Sequence, residues 1–249
     1  GEWSLSTWRD LVDPDYPAIV WKTIRISFEV TFWCILLSLP CAYAISRLPA
    51  RWRAIVAGAI MMPFWTSFVV RVFAWKQLLH PDGWLQACYL TYLRVSEWMF
   101  DWLPGFLQKF FIWIGFASPD RVDPMLSTIL DSETAVVLVS VYTFLPFAIM
   151  PMYTAAEKFD FSLLEAARDL GAKNFYAFRK IFIPGIRQGI ISAVLMVFIP
   201  AIGSYVIPDL VGGQDSELIG NKIYQRTFPD RNLPHASALA AITGFSVLV

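Results

Sequence analysis

The side chains in this sequence that could do chemistry are a few aromatic rings and one acid, placed within or beside apolar segments. We single out Trp65, Tyr142, Tyr205 and Asp209. Aromatic faces attract ammonium groups by about 2 kcal/mol or more when the contact is dry. A carboxylate at the mouth of such a path would attract the same cations. The four residues are compatible with a path for a cationic solute, although belt aromatics and a helix-end acid would look the same.

No catalytic or nucleotide-binding motif accompanies these residues. The sequence contains no G-x-x-x-x-G-K-[ST] loop to hold ATP phosphates, and no H-E-x-x-H or G-x-S-x-G signature. We therefore predict a protein that is not an enzyme, with no catalytic residue, no metal site and no cofactor of its own. The net charge of zero argues against nucleic acid as a partner.

The elements that must position these residues are long apolar helices. The chain is 57% hydrophobic and only 16% charged, against about 25% charged in an average soluble domain. A membrane-spanning helix needs about 20 apolar residues, and this length predicts an all-α, polytopic membrane bundle in a single domain, residues 1–249. The predicted spans are about 26–45, 54–72, 134–153, 189–208 and 236–249.

Basic residues predict how the bundle is oriented. Arg47, Arg51 and Arg53 lie in the first link between spans, and the link 154–188 holds six Lys and Arg. The segment 73–133 is richer in acids, so positive-inside reasoning makes it an external loop and makes the other two links cytoplasmic. The same reasoning places the first residue outside. We therefore expect a further span upstream and a last span that is cut short here.

The cytoplasmic link contains a short polar segment between two apolar ones. Ser162 and Glu165 match the S-x-x-E capping box, which predicts that Ser162 is the N-cap of a helix. Gly171 supplies a left-handed residue to end that helix after about eight residues, roughly 12 Å. Asn174 is predicted to cap a second helix, and Pro184 to break it. The small side chains of this helix would let another protein approach its backbone closely.

This segment resembles the EAA motif of permease subunits in bacterial ABC importers. The matching residues are Glu165, Ala166, Ala167, Gly171, Ile181 and Pro184. Ile183 stands where the family usually has leucine. The resemblance implies a type I importer permease of the bacterial inner membrane, a family that normally has six spans. It also implies that residues 154–188, the coupling segment, dock onto a separate ABC ATPase dimer that binds the ATP.

Further runs of residues resemble the spermidine and putrescine importer permeases. They are Pro63-Phe64-Trp65-Thr66-Ser67, Leu145-Pro146-Phe147, Gly203 to Leu210, Gly212-Gly213 and Leu218 to Asn221. The resemblance implies a polyamine solute, an external or periplasmic solute-binding protein and a second homologous permease subunit. Ser204 stands where relatives that import putrescine carry an acid, so the particular polyamine stays open.

Two other functions remain open from the sequence. A permease of the same fold could serve another small solute, such as an anion or an amino acid, and for an anion the path should gather basic residues. A membrane enzyme or scaffold is the alternative of another class, and an enzyme should place ionisable pairs inside the bilayer. The tryptophan-rich stretch 84–116 is predicted to lie against membrane lipid at the external surface of the membrane, or else to cap the solute entrance.

The predicted orientation can be tested by labelling single cysteines in a cysteine-free background. Arg51→Cys and Lys173→Cys should be protected from an impermeant thiol reagent in intact cells, because both positions are predicted to be cytoplasmic. Asp123→Cys should be labelled. Labelling of Lys173→Cys from outside would overturn the orientation and, with it, the placement of the coupling segment.

Overall fold

The structure, a computed structural model, describes residues 15–80, 88, 91, 130–213 and 216–248, most of which are helical. No strand occurs in those residues, as the predicted all-α bundle requires. The elements are α1 (Asp15–Ser46), α2 (Ala50–Met61), a 3₁₀ turn (Met62–Trp65), α3 (Phe68–Leu78), α4 (Glu133–Glu157), α5 (Ser162–Asp169), α6 (Asn174–Ala177), a π turn (Phe178–Phe182), α7 (Ile183–Gly185), α8 (Arg187–Ile202), α9 (Val206–Val211), α10 (Ile219–Thr227) and α11 (Leu233–Leu248).

Within the described part of the chain, two helices are each long and apolar enough to cross a membrane, and up to four spans result if each of two bent helix pairs counts as one. The first helix is α1, of which residues Tyr16–Ser46 are long and apolar enough, and the second is α4. They contain the predicted spans 26–45 and 134–153. The Ser132 side chain begins α4 by accepting a hydrogen bond from the backbone N–H of Ala135 at 3.2 Å. Pro146 and Pro151 lie inside α4 without ending it, as neighbouring helices permit in a membrane bundle.

The core of the bundle is formed where α1, α4 and α8 pack against one another. Buried apolar side chains from all three helices meet there, including Val30, Val139 and Val197. Gly189 allows α8 to approach α4 closely, because an added Cβ would lie 2.5 Å from the Cβ of Ala155. Small residues at helix crossings are a usual means of close packing in membranes.

The second predicted span, 54–72, is divided between two helices. The segment that runs from α2 through the 3₁₀ turn is bent by 87° from α3. Pro63 lies in the 3₁₀ turn, and both the backbone N–H and the hydroxyl of Thr66 donate to its carbonyl oxygen, at 3.3 and 2.7 Å. These local bonds replace the helical ones that the break removes.

The fourth predicted span, 189–208, is also interrupted. Helix α8 ends at Ile202, residues 203–205 are not helical, and α9 begins at Val206. The buried side chain of Asn221 on α10 supports the break: its Nδ2 donates to the Tyr205 carbonyl at 3.1 Å, while its Oδ1 accepts from the Leu218 N–H at 3.3 Å. The predicted fifth span, 236–249, falls within α11 as far as Leu248.

The coupling segment differs from the sequence prediction at both helix starts. Ser162 is the first residue of α5 rather than its N-cap, and no side-chain cap forms at Phe161. The carboxylate of Asp160 instead accepts a hydrogen bond from the Ser162 N–H at 3.0 Å. The predicted capping box is therefore wrong. Asn174 likewise begins α6 rather than capping it, since Lys173 occupies the cap position.

The break predicted at Pro184 lies two residues further on. The Asn174–Gly185 segment and α8 are bent by 71° relative to each other, and Ile186 adopts φ −102° and ψ 17° between them. Pro184 has no N–H to donate to the preceding turn, and residues 178–182 before it form a π turn. The stretch 84–116, predicted to lie on the membrane surface, is outside the described residues apart from isolated positions.

The α4–α8 crossing gives a prediction about stability. Gly189→Leu should lower the free energy of unfolding by about 1–3 kcal/mol, because the new side chain meets Ala155 and the Pro151 carbonyl. Gly58→Leu is the matched control, since nothing lies within 4 Å of the Cβ position there. The stability of both variants is measured by thermal unfolding of the protein in detergent. Equal melting temperatures for Gly189→Leu and Gly58→Leu would show that the α4–α8 crossing does not require glycine.

Candidate functional site

The coupling segment presents a helix that has almost no core of its own. In α5 only Leu164 is buried, whereas Glu165 and Ala166 are exposed. Leu170, directly after the helix, is 90% exposed. An isolated helix of eight residues is marginal in water, so α5 depends on its ends and its neighbours.

The end of α5 is a complete Schellman motif. The Ala172 N–H donates to the Ala167 carbonyl at 3.0 Å and the Gly171 N–H donates to the Arg168 carbonyl at 2.8 Å. Gly171 has φ of 87°, which confirms that the chain needs a left-handed residue there. Nothing lies within 4 Å of its Cβ position, so the backbone conformation, and not space within this chain, selects glycine.

The remaining motif residues divide between an outer and an inner surface. Ala167 and Ile181 are half-buried and pack against the core, while Pro184 is exposed. At the other end of α5, hydrogen bonds from Ser162 hold the pKa of the Asp160 carboxyl below its usual value. The charged form of Asp160 is therefore the one that holds the start of α5. The motif thus combines a displayed face with anchors to the bundle.

Trp65 lies at the 87° bend and is 86% exposed. The ring of its neighbour Phe64 is packed instead, in an edge contact with Phe147 of α4 at 4.9 Å between centroids. The Arg71 guanidinium carbon lies 5.1 Å from the centre of the Phe64 ring. A cation–aromatic contact therefore exists beside Trp65, formed by the chain itself.

Tyr142 lies on α4 and is partly exposed. Its ring makes an edge contact with Trp75 of α3, with centroids 5.2 Å apart. Helix α3 also packs against α9, which carries Asp209. Neither Trp75 nor Phe147 was among the predicted path residues, although Phe147 belongs to one of the runs that resemble polyamine permeases. Aromatic residues in apolar segments give no signal that separates packing from binding.

Tyr205 and Asp209 lie on either side of the start of α9. The Tyr205 ring stacks on Tyr224 of α10 with centroids 4.8 Å apart and planes 13° from parallel, and Phe228 continues the row at 5.1 Å from Tyr224. Asp209 is exposed, and it forms no ion pair with any residue that the structure describes. The start of α9 therefore carries, four residues apart, a ring that stacks on α10 and a carboxylate without an ion-pair partner among the described residues.

The four predicted path residues, all of which lie in described residues, share no ring contact, side-chain hydrogen bond or ion pair with one another. The one link between any two of them is in the backbone, where the Asp209 N–H donates to the Tyr205 carbonyl at 3.1 Å. Trp65 lies at the bend before α3, Tyr142 at the ring contact between α3 and α4, and the other two at the break after α8. Their role in solute binding stays a prediction.

Comparisons with known proteins give the family. Residues 32–249 match the family described as "Binding-protein-dependent transport system inner membrane component". The chain is 33% identical to the spermidine/putrescine transport system permease protein PotB of Haemophilus influenzae, over 99% of this chain and 76% of the relative. It is 31% identical to PotB of Escherichia coli over 99% of this chain and 81% of the relative. The chain is 30% identical to the inner membrane ABC transporter permease protein YdcU of Escherichia coli, over 97% of this chain and 72% of the relative.

This chain belongs to the family of binding-protein-dependent transport system inner membrane components. The match confirms the resemblance found in the EAA residues, and it confirms an inner-membrane helical bundle. The family transports solutes, so the alternative of a membrane enzyme or scaffold is set aside.

Proposed function

We propose that this chain is the permease subunit of an ATP-driven importer of polyamines. The proposal that the solute is a polyamine rests on the sequence identity of 31–33% to PotB proteins across nearly the whole chain. The proposed complex contains a second homologous permease subunit, two ABC ATPase subunits that bind the ATP, and an external or periplasmic protein that delivers the solute.

The exposed surface of the coupling segment supports docking to the ATPase. Leu163 on α5 and Leu170 directly after it are exposed, as are Phe175 and Tyr176 on α6. Large apolar side chains grouped on a segment predicted to lie in the cytoplasm are typical of a protein interface. Ala166, also exposed, leaves the α5 backbone accessible to a groove. We assign this face to the ATPase subunits.

The breaks in the second and fourth segments support a path for a cation. The last carbonyl groups of a helix carry partial negative charge, and the helix that ends at Trp65 does so inside a predicted span. The exposed indole of Trp65 adds an aromatic face, and Asp209 and Tyr205 add a carboxylate and a ring further out. A polyamine carries several ammonium groups, and together these features would offset part of its lost hydration.

One prediction from the proposed function concerns Gly171. Gly171→Val should abolish uptake and separate ATP hydrolysis from transport, because a β-branched residue costs about 1–2 kcal/mol in a left-handed conformation. Gly171→Asn should keep most of the activity, since asparagine tolerates that conformation. Uptake and ATP hydrolysis are measured in vesicles that contain the complete transporter.

If Gly171→Val and Gly171→Asn lose uptake equally, the ATPase requires the absence of a side chain at this position, and not the backbone turn. Normal transport by Gly171→Val would show that residues 154–188 are a plain linker. In either case membrane insertion of the variant is checked first, by the amount of folded protein recovered in detergent.

The second prediction concerns the solute path. Asp209→Asn and Trp65→Leu should each lower polyamine uptake several-fold, equivalent to about 1 kcal/mol, while assembly and basal ATP hydrolysis remain unchanged. Asp230→Asn is the control for the acid, because Asp230 already pairs with Arg226 at 2.8 Å. Trp52→Leu is the control for the ring, since Trp52 is exposed near the other end of the same segment.

Competition in the same vesicles, with the solute-binding protein present, tests the solute itself. Unlabelled putrescine or spermidine should compete with labelled polyamine. If neither competes while an anion or an amino acid does, the polyamine assignment is wrong and the alternative permease for another solute replaces it.

A further inference from the structure

The coupling segment is attached to the bundle through five aromatic rings, which we call the aromatic cluster: Tyr43, Phe159, Phe161, Phe178 and Phe182. Phe182 is at the centre and is fully buried. Its ring contacts the other four, with centroids 5.1 Å from Tyr43, 5.3 Å from Phe159, 6.2 Å from Phe161 and 5.3 Å from Phe178.

These rings come from three separate parts of the chain. Tyr43 lies near the end of α1, Phe159 and Phe161 lie in the link between α4 and α5, and Phe178 and Phe182 lie in the π turn. The Arg47 guanidinium lies over the outer face of Phe161, 5.1 Å from the ring centre. The aromatic cluster therefore connects both ends of the coupling segment to α1.

Gly185 makes the packing of Phe159 possible. A Cβ on Gly185 would lie 2.3 Å from Cε2 and 2.7 Å from Cδ2 of the Phe159 ring. The ring thus rests directly on the backbone between the π turn and the bend at Ile186. Because Phe159 is also held against Phe161 and Phe182, it cannot yield without disturbing the aromatic cluster.

We propose that the aromatic cluster, with Gly185, is the positioning element that sets the place of α5 and transmits its displacement to α1 and α8. Helix α5 buries only Leu164, adds the half-buried Ala167 to the core and packs against α6 and the π turn, so its position depends chiefly on the π turn. That turn carries Phe178 and Phe182 of the aromatic cluster, and densely packed rings pass displacement on without collapsing. A π turn in the middle of this connection agrees with the frequent occurrence of such turns at functional sites. The transmitting role rests on the proposed coupling to an ATPase.

The test uses Gly185→Ala, which pushes the Phe159 ring out of place, and the double variant Gly185→Ala/Phe159→Leu, which relieves the contact. Gly58→Ala is the matched control, since it adds the same methyl group to an open position of α2. All three variants are made in the complete transporter. This chain also carries Cys34→Ala and Cys88→Ser, which leave Cys41 as its one natural cysteine. Spin labels on Cys41 of α1 and on Asp169→Cys of α5 report the distance between the two helices by pulsed electron resonance.

Gly185→Ala should broaden the distance distribution and lower the polyamine transported per ATP hydrolysed by about tenfold. Gly185→Ala/Phe159→Leu should restore a narrow distribution and most of the coupling, and Gly58→Ala should resemble the parent protein. An unchanged distribution in Gly185→Ala overturns the positioning role. A broadened distribution with normal coupling overturns transmission, and failure of Phe159→Leu to rescue overturns the part assigned to the Phe159 ring.

The two readouts separate this proposal from the proposed function. If the parent transporter shows no ATP hydrolysis linked to polyamine, the proposed function fails by that result alone. The distance distributions still decide whether the aromatic cluster positions α5, because they require no transport.

Discussion

Hydrocarbon cannot replace water as a partner for backbone N–H and C=O groups, and the architecture of this chain follows from that constraint. Among the described residues, the two helices long enough to cross a membrane unbroken, α1 and α4, form the core together with α8. One break lies beside this core, between α2 and α3, the other directly follows α8, and polar groups compensate for both locally. The Thr66 hydroxyl serves the bend after α2, and the Asn221 amide serves the gap before α9. Both breaks fall in segments that carry predicted path residues, so the irregular backbone that needs this support also carries the exposed rings of Trp65 and Tyr205.

Hydropathy predicted the long helices well because it depends on sums over many residues. It located α1 and α4, but it treated 54–72 and 189–208 as continuous, since a few residues such as Thr66 or Ser204 hardly change the average over a span. The capping box failed for a related reason. Ser162 and Glu165 fit the pattern, but the charged carboxylate of Asp160, two residues earlier, binds the Ser162 N–H instead, and charge-assisted bonds are the stronger ones. Gly171 was predictable because a left-handed residue at the end of a short polar helix has few other solutions.

The candidate sites were only partly predictable for a different reason. Tyr205 could be selected from the sequence as a ring near an acid, but its partner Tyr224 belongs to another helix, and only the fold brings the two within 4.8 Å. The aromatic cluster is the clearer case. Tyr43 and Phe182 are far apart in sequence, and 16% of all residues here are aromatic, so composition hides a specific group among many ordinary belt and core rings. Long-range packing, and not any local motif, gives these residues their significance.

The coupling segment therefore combines two kinds of mechanical behaviour within a short length of chain. Helix α5 is small, exposed and held mainly at its ends, so a partner can grip it without disrupting a core. Of the rings beside it, Phe182 is buried and the other four are half-buried. All four contact Phe182, so the rings deform little when α5 is displaced. A displacement of α5 would pass through Phe161 and Phe182 to Tyr43 on α1, and through Phe159 to the backbone at Gly185, directly before the 71° bend into α8. Since α1 and α8 are both core helices, one contact group reaches two sides of the bundle at once, and the exposed helix itself needs no direct contact with either.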